Sequence, residues 1–221
     1  MGGSVERFTD DSGDVAVRGI LHRPGGAAGD VLVLTHGAGS HHDAPVLRAV
    51  ADAFATHRTT VLRCDLPFRQ ARPKGPPSPA GAARDRAGLR RAVELMRARC
   101  PGRVLLGGAS YGGRQATLLV AEHPGLVDAL LLLAYPLHAP GRPDAPRAAH
   151  FPRIRTPVLF VHGTRDPFAT IEELDAARAT LGGASAVAVV DGAGHDLGGG
   201  RTPFAEGIPA RLTALLDTAL R

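Results

Sequence analysis

The sequence predicts an α/β fold, a mostly parallel sheet with helices on both faces, and three observations predict it. Short runs that are apolar throughout recur along the chain, at Val31–Leu34, Leu130–Leu133 and Val158–Val161. A strand apolar at every position has to be covered on both faces, as parallel strands are. These runs alternate with helix-like segments over almost the whole length, the pattern of consecutive strand–helix–strand units. The third observation is the stretch Val104–Val120, where a short apolar run and a helix-like run are joined by Gly108-Ala109-Ser110-Tyr111-Gly112. In such sheets ligands bind beyond the carboxyl ends of the strands, so residues placed there carry the functional argument.

The elements follow in order. Residues 5–22 alternate enough for one or two short strands, with Asp11-Ser12-Gly13-Asp14 as the turn. Val31–Thr35 is a strand, and His36-Gly37-Ala38-Gly39-Ser40 follows it directly. Asp43 is placed as a helix N-cap with Pro45 in the first turn of a helix running to about His57. Thr60–Cys64 is the next strand. Asp65–Pro79 is so dense in Pro, Arg and Gly that it reads as loop. Ala80–Arg99 is a helix, the strand and helix around Ser110 come next, and Pro124-Gly125 ends that helix. Another apolar strand lies within Asp128–Leu133, followed by a second Pro/Arg/His-rich loop over Pro136–Pro152. Val158–His162 is a strand, Ile171–Leu181 a helix, Ala186–Val190 the last strand and Ile208–Leu220 the closing helix, whose Pro209 is tolerable in a first turn. No linker or repeat divides the chain, so one domain over residues 1–221 is expected, with no insertion long enough for a separate lid.

Composition narrows the function classes. A chain of 221 residues, 44% hydrophobic, buries one substantial core, which Leu, Val and Ala must fill because Trp is absent. Two cysteines give no disulfide framework, the N-terminus has no signal-peptide pattern, and no apolar run is long enough to span a bilayer; a cytoplasmic protein without membrane contact is expected. The net charge of +5 invites a nucleic-acid reading. However, Lys74 is the sole lysine, the arginines are dispersed, and no aromatic residues interleave with them to stack bases; a solvated basic face is expected and no nucleic-acid partner. His36, His41, His42 and Asp43 lack the spacing of a closed metal site, and residues 107–113 lack both the Lys-Ser/Thr ending and the G-x-G-x-x-G of nucleotide loops, so no metal and no cofactor are expected.

The chemistry starts at Gly108-Ala109-Ser110-Tyr111-Gly112, which fits G-x-S-x-G. A serine at a sharp strand-to-helix turn adopts a strained backbone, and its neighbours two residues away must be nearly free of side chain. Ordinary turn glycines with a serine N-cap would give the same five letters; the flanking strand and helix favour the nucleophile. A serine hydroxyl needs a general base, which needs an orienting carboxylate, in the chain order serine, acid, histidine. Asp166 follows Phe160-Val161-His162-Gly163-Thr164-Arg165, and His195 follows Val189-Val190-Asp191-Gly192-Ala193-Gly194, each beyond a strand's carboxyl end. Asp166 could instead be a turn residue before Pro167, and Asp144 is a distant second choice as the acid. Donors for the developing oxyanion are expected in the backbone N–H of Tyr111 and, from the glycine-rich loop after the first parallel strand, that of Ala38.

Together, His36-Gly37-Ala38-Gly39, Gly108–Gly112, His162-Gly163-Thr164-Arg165-Asp166 and Gly194-His195 resemble an α/β-hydrolase over nearly the full chain. The closer resemblance is to the small, lidless, dienelactone-hydrolase-like group that includes the testis-expressed hydrolase-like proteins. Leu62-Arg63-Cys64-Asp65-Leu66-Pro67-Phe68-Arg69 and Tyr135-Pro136-Leu137-His138 look like characteristic stretches of it. Dienelactone hydrolases use a cysteine nucleophile; here the elbow carries Ser110, so that substrate is not implied. The resemblance supports a Ser110–Asp166–His195 triad and says little about substrate.

The expected activity is therefore cleavage of an ester, thioester or related acyl bond of a small molecule through an acyl-enzyme. The rivals are a peptidase or amidase on the same triad and a catalytically idle interaction module. Walls for the pocket are expected from Asp65–Pro79 and Pro136–Pro152, whose Arg69, Arg72, Lys74, Arg142 and Arg147, with nearby Arg153, either form a basic rim that favours anionic substrates or simply face water.

Overall fold

In the computed structural model, which describes residues 3–27, 29–139, 142, 144, 146–199 and 203–219, the apolar runs lie where two layers of helices cover them. Among the described residues eight strands form one sheet: β1 (Ser4–Asp10), β2 (Val17–Arg23), β3 (Val31–Thr35), β4 (Thr60–Cys64), β5 (Val104–Ala109), β6 (Ala129–Leu133), β7 (Val158–Gly163) and β8 (Ser185–Val190). Their order across the sheet is β1-β2-β4-β3-β5-β6-β7-β8. The β1–β2 and β2–β4 pairs are antiparallel and the rest parallel. The registers Thr35↔Gly108, Ala109↔Leu133 and Gly163↔Val190 bring the carboxyl ends of β3, β5, β6, β7 and β8 to one edge.

The two-residue period of the strands splits the core. Val31 and Val33, Leu106, and Leu130 and Leu132 pack on one face. They meet α3 (Ala82–Arg97) through Leu89, Ala92, Val93 and Met96, and α4 (Tyr111–Glu122) through Ala116, Leu119 and Val120. Leu174 of α5 (Ile171–Arg178) joins that face. Leu32, Leu34, Leu105, Leu131 and Leu133 face the other side, against Leu47, Val50 and Phe54 of α1 (Pro45–Thr56) and Leu212, Leu215 and Leu216 of α6 (Ile208–Ala219). Each buried Leu or Val contributes roughly 1.5–3 kcal/mol by leaving water, and this packing holds the edge that carries the site.

Two expectations need correction. Asp43 does not cap α1: Ala44 precedes the helix and no side chain caps it. The Asp43 carboxylate goes instead to Nη1 of Arg63 at 3.0 Å. Arg63 is only 3% exposed, and its buried charge needs that partner more than a solvated helix end needs a cap. The segment Asp65–Pro79 is not all loop: Pro67–Ala71 forms a short helix, α2. Pro67 suits a first turn, and the Phe68 N–H finds the buried Asp85 carboxylate at 3.0 Å, a partner 17 residues away that local composition cannot disclose. Smaller shifts occur at helix ends, where α3 starts at Ala82 after a 3₁₀ turn at Pro79–Gly81 and α5 ends at Arg178. In the loop Pro136–Pro152, residues 140, 141, 143 and 145 lie outside the described residues, as does Leu220 of the expected closing helix.

Candidate active site

Ser110 sits between the last residue of β5 and the first of α4 with φ 48° and ψ −116°, a conformation costly for any side chain-bearing residue. Its backbone is held on both sides: the N–H donates to the Leu133 carbonyl at 2.9 Å and the carbonyl accepts from the Arg114 N–H at 3.0 Å. The flanking glycines are a steric requirement, because a Cβ on Gly108 would overlap the Gly112 backbone, and one on Gly112 would lie 2.6 Å from the His36 carbonyl oxygen. The turn leaves the Ser110 hydroxyl half-buried at the carboxyl edge.

The structure brings Ser110, Asp166 and His195 together. Asp166 lies on the turn after β7, with a fully buried side chain, and His195 on the turn after β8. Both Asp166 oxygens accept from His195 Nδ1, at 3.0 and 2.8 Å, so the ring's proton is on Nδ1. His195 Nε2 is then a bare acceptor, 2.8 Å from Ser110 Oγ. Phe168 stacks on the imidazole with centroids 4.1 Å apart, and its N–H donates to Asp166 Oδ1 at 2.9 Å. Beneath Asp166, the buried His162 donates from Nε2 to the Ala169 carbonyl at 3.0 Å and fixes the turn. Such a chain can take a proton from the hydroxyl and return it to a leaving group. The rival acid, Asp144, is solvent-exposed and has no part in it.

Tyr111 opens α4, so its N–H belongs to the first turn, whose donors lack intrahelical partners. Ala38 lies across from it, lining both cavities that meet at Ser110. The glycine before it is needed, since a Cβ on Gly37 would come 3.3 Å from the Ser110 Cβ. His36 pins this loop: Nδ1 donates to the Gly37 carbonyl at 2.8 Å and Nε2 accepts the Leu66 N–H at 3.1 Å. Burial drives its pKa down to about 4, so the ring stays neutral in this role.

Arg69 and Asp85 were not legible as site residues. Arg69, expected on a basic rim, is instead buried, its guanidinium donating to the carbonyls of Ala38 and Ser40, both at 2.8 Å, and of Gly75 at 3.1 Å. It faces backbone oxygens, acceptors that satisfy a buried guanidinium without a carboxylate. Asp85 accepts the Phe68 N–H and, at 2.8 Å, the Tyr111 hydroxyl. Burial raises its pKa above the usual carboxylate range. Arg72, Lys74, Arg142 and Arg153 are exposed, which leaves Arg147 as the one expected rim residue that lines a cavity at Ser110.

Two cavities flank the serine. One, about 410 Å³, runs past His195, Gly39, Pro45 and Val46 and is mainly apolar. The other, about 560 Å³, runs past Tyr111 between Pro76–Pro79, Arg114, Gln115 and Arg147. Among the described residues no group of three or more His, Cys, Asp or Glu side chains could hold a metal ion, and no helix is long and apolar enough to cross a membrane.

An open, mostly parallel sheet with a nucleophile elbow at its carboxyl edge defines the alpha/beta hydrolases. The chain belongs to that family: the alpha/beta hydrolase domain family matches residues 28–203, and the protein is a hydrolase. Among solved structures it is similar to a dienelactone hydrolase from Anabaena variabilis, with 24% identity, a TM-score of 0.73 and 100% of each chain covered. A protein from Thermus thermophilus shares 26% identity at a TM-score of 0.73, covering 98% of this chain and 99% of its own. An alpha-beta serine hydrolase homologue from Coxiella burnetii shares 18% at 0.69, covering 98% and 97%. No curated protein matches the sequence significantly. These likenesses show that the alpha/beta hydrolase fold extends over the whole chain and is shared with a dienelactone hydrolase.

Proposed function

We propose that the protein is a serine esterase that cleaves an ester, thioester or related acyl bond of a small molecule through an acyl-enzyme. The observation that carries this is the continuous hydrogen-bonded chain from Asp166 through His195 to Ser110 Oγ at the strained elbow. Ser110 Oγ attacks the acyl carbon while its proton passes to His195 Nε2, and Asp166 stabilises the imidazolium so formed. The carbonyl oxygen becomes an oxyanion held by the Tyr111 and Ala38 N–H groups, an arrangement worth about 10²–10³ in rate per donor. The tetrahedral intermediate collapses as His195 returns the proton to the leaving group. Water then attacks the acyl-Ser110 ester by the same proton route and regenerates the free hydroxyl. Apart from water and the substrate, every step uses groups of this chain, so the reading requires no cofactor; the unpaired Cys64 and Cys100 support a reducing compartment such as the cytoplasm.

The test is covalent labelling by a fluorophosphonate together with turnover of p-nitrophenyl esters graded by chain length. The expected result is one label, at Ser110, and turnover of at least the short esters. Ser110→Ala is expected to abolish the label and lower turnover by several orders of magnitude, with an unchanged circular dichroism spectrum. An unlabelled, inactive wild-type protein would leave the fold as an interaction module, and a variant with undiminished turnover would overturn the mechanism.

A further inference from the structure

The two cavities at Ser110 differ in chemistry, and the proton route tells which part of a substrate each receives. His195 must deliver a proton to the departing atom, so the leaving group lies on the side where His195 forms the wall. That side is the mainly apolar cavity of Ala44, Pro45, Val46, Ala109 and Gly39. The acyl chain therefore extends the other way, past Tyr111, into the cavity that His195 does not line.

This second cavity carries charge without a counter-charge. Arg114 and Arg147 line it, and no acidic residue does. None of the ion pairs among the described residues involves either arginine. Arg114 lies one helical turn beyond Ser110, and its Nε is buried with no hydrogen-bond partner. Beside it, Gln115 is fully buried; its Oε1 accepts from Arg86 at 3.2 Å and its Nε2 has no partner. The Asp85 carboxylate near Tyr111 does not line the cavity, and both its oxygens are already engaged. Two arginines without an acidic partner, in a cleft that opens on the nucleophile, give that cleft a positive potential suited to an anion. The apolar prolines Pro76, Pro77 and Pro79 form the facing wall and fit a short hydrocarbon chain between the anion and the scissile bond.

We infer that Arg114 and Arg147 form a carboxylate-binding subsite, and that the substrate is an ester whose acyl group ends in a carboxylate, a half-ester of a short dicarboxylic acid with an apolar leaving group. The inference rests on the serine-esterase reading above and assigns its acyl and leaving-group sides. Arg114, on a helix of the core, sets the reach of the chain; Arg147, on the loop between β6 and β7, lines the same cavity.

The experiment compares kcat/KM for three p-nitrophenyl esters of similar length: the glutarate half-ester, the neutral valerate and the cationic 4-(trimethylammonio)butyrate. The expected order is half-ester, valerate, cationic ester, with the first about tenfold or more above the second, the scale of one charged hydrogen bond. The half-ester advantage should shrink with added salt. Its ratio to valerate is expected to fall to near one in Arg114→Met/Arg147→Met, whatever the variant does to absolute rates, and to be partly kept in Arg114→Lys. Turnover of all three esters without preference, or a preference that survives Arg114→Met/Arg147→Met, overturns the subsite and leaves the esterase standing. No turnover of any ester, with Ser110 unlabelled by fluorophosphonate, overturns both.

Discussion

The two sides of the elbow are built in opposite ways. On the base side, the turns after β7 and β8 hold each other by short-range backbone contacts: the Arg165 N–H donates to the Ala193 carbonyl at 2.9 Å and the Thr164 N–H to the Val190 carbonyl at 3.2 Å. They fit so closely that a Cβ on Gly163 would overlap the Ala193 carbonyl. On the donor side, the loop 36–40 depends on buried polar side chains from a remote segment. Arg69 gathers its carbonyls, His36 reaches the Leu66 N–H, and Asp65 accepts both the backbone N–H and Nδ1 of His42 at 2.7 Å. The base side positions side chains and can be rigid through packing alone. The donor side has to aim main-chain N–H groups, and a peptide is aimed most directly by anchoring its carbonyls.

The largest expected effect tests the base side. Asp166→Asn should lower kcat by about 10⁴, because an amide cannot hold the tautomer that leaves His195 Nε2 bare, whereas Asp144→Asn, at an exposed site, should stay within twofold in side-by-side kinetics. A severe loss in Asp144→Asn alone would reverse the assignment. Next comes the donor side. Arg69→Ala strands the carbonyls of Ala38, Ser40 and Gly75, and is expected to cost about 10²-fold in kcat with little change in KM, since the donors act chiefly on the transition state. Arg69→Lys should recover part of that loss; equal losses in kcat with a matching rise in KM would make Arg69 a purely structural residue.

The smallest effect is on stability and acid. Burial holds the His36 and His150 rings at about 4, well below the ordinary histidine value. Between about pH 6.5 and 4 the unfolded chain therefore binds protons that the native rings refuse, so the native state is favoured above that window and loses ground as pH falls through it. Urea midpoints measured at pH 7 and pH 4.5 should show the drop, and His150→Gln should flatten it; an identical pH slope in that variant would show that other groups carry the acid sensitivity.

The contrast also explains what the sequence disclosed. Base-side residues sit within a few positions of a strand end, so Gly163 to Asp166 and Gly192 to His195 carry local patterns that point to them. The elbow was legible for the same reason, since the steric limits at Gly108 and Gly112 act over five residues. The β-strands were legible because burial on both faces demands apolar residues at every position. The donor side was legible only as a glycine-rich loop. Its anchors pair Arg69 with Ala38 and Asp85 with Phe68 across 31 and 17 residues, and one of them, Arg69, carries a charge that composition alone assigns to the surface. Asp43 failed likewise: an N-cap pattern is local, and the buried Arg63 that claims it is not.

The strand order has a consequence for how the chain is made. β3 is flanked by β4 and β5, so Val31–Thr35 leaves the ribosome with one neighbour to come at residue 60 and the other only at residue 104. The face carrying Leu105, Leu131, Leu133 and Leu159 waits longer still, for Ile208, Leu212, Leu215 and Leu216 of the last helix. Until then α1 alone covers that face, and the leucines that α6 will cover stay bare in the nascent chain. A product released before residue 208 is a sheet with one face only partly covered, prone to clump, and the twelve residues of α6 weigh on whether synthesis ends in a folded hydrolase or an aggregate.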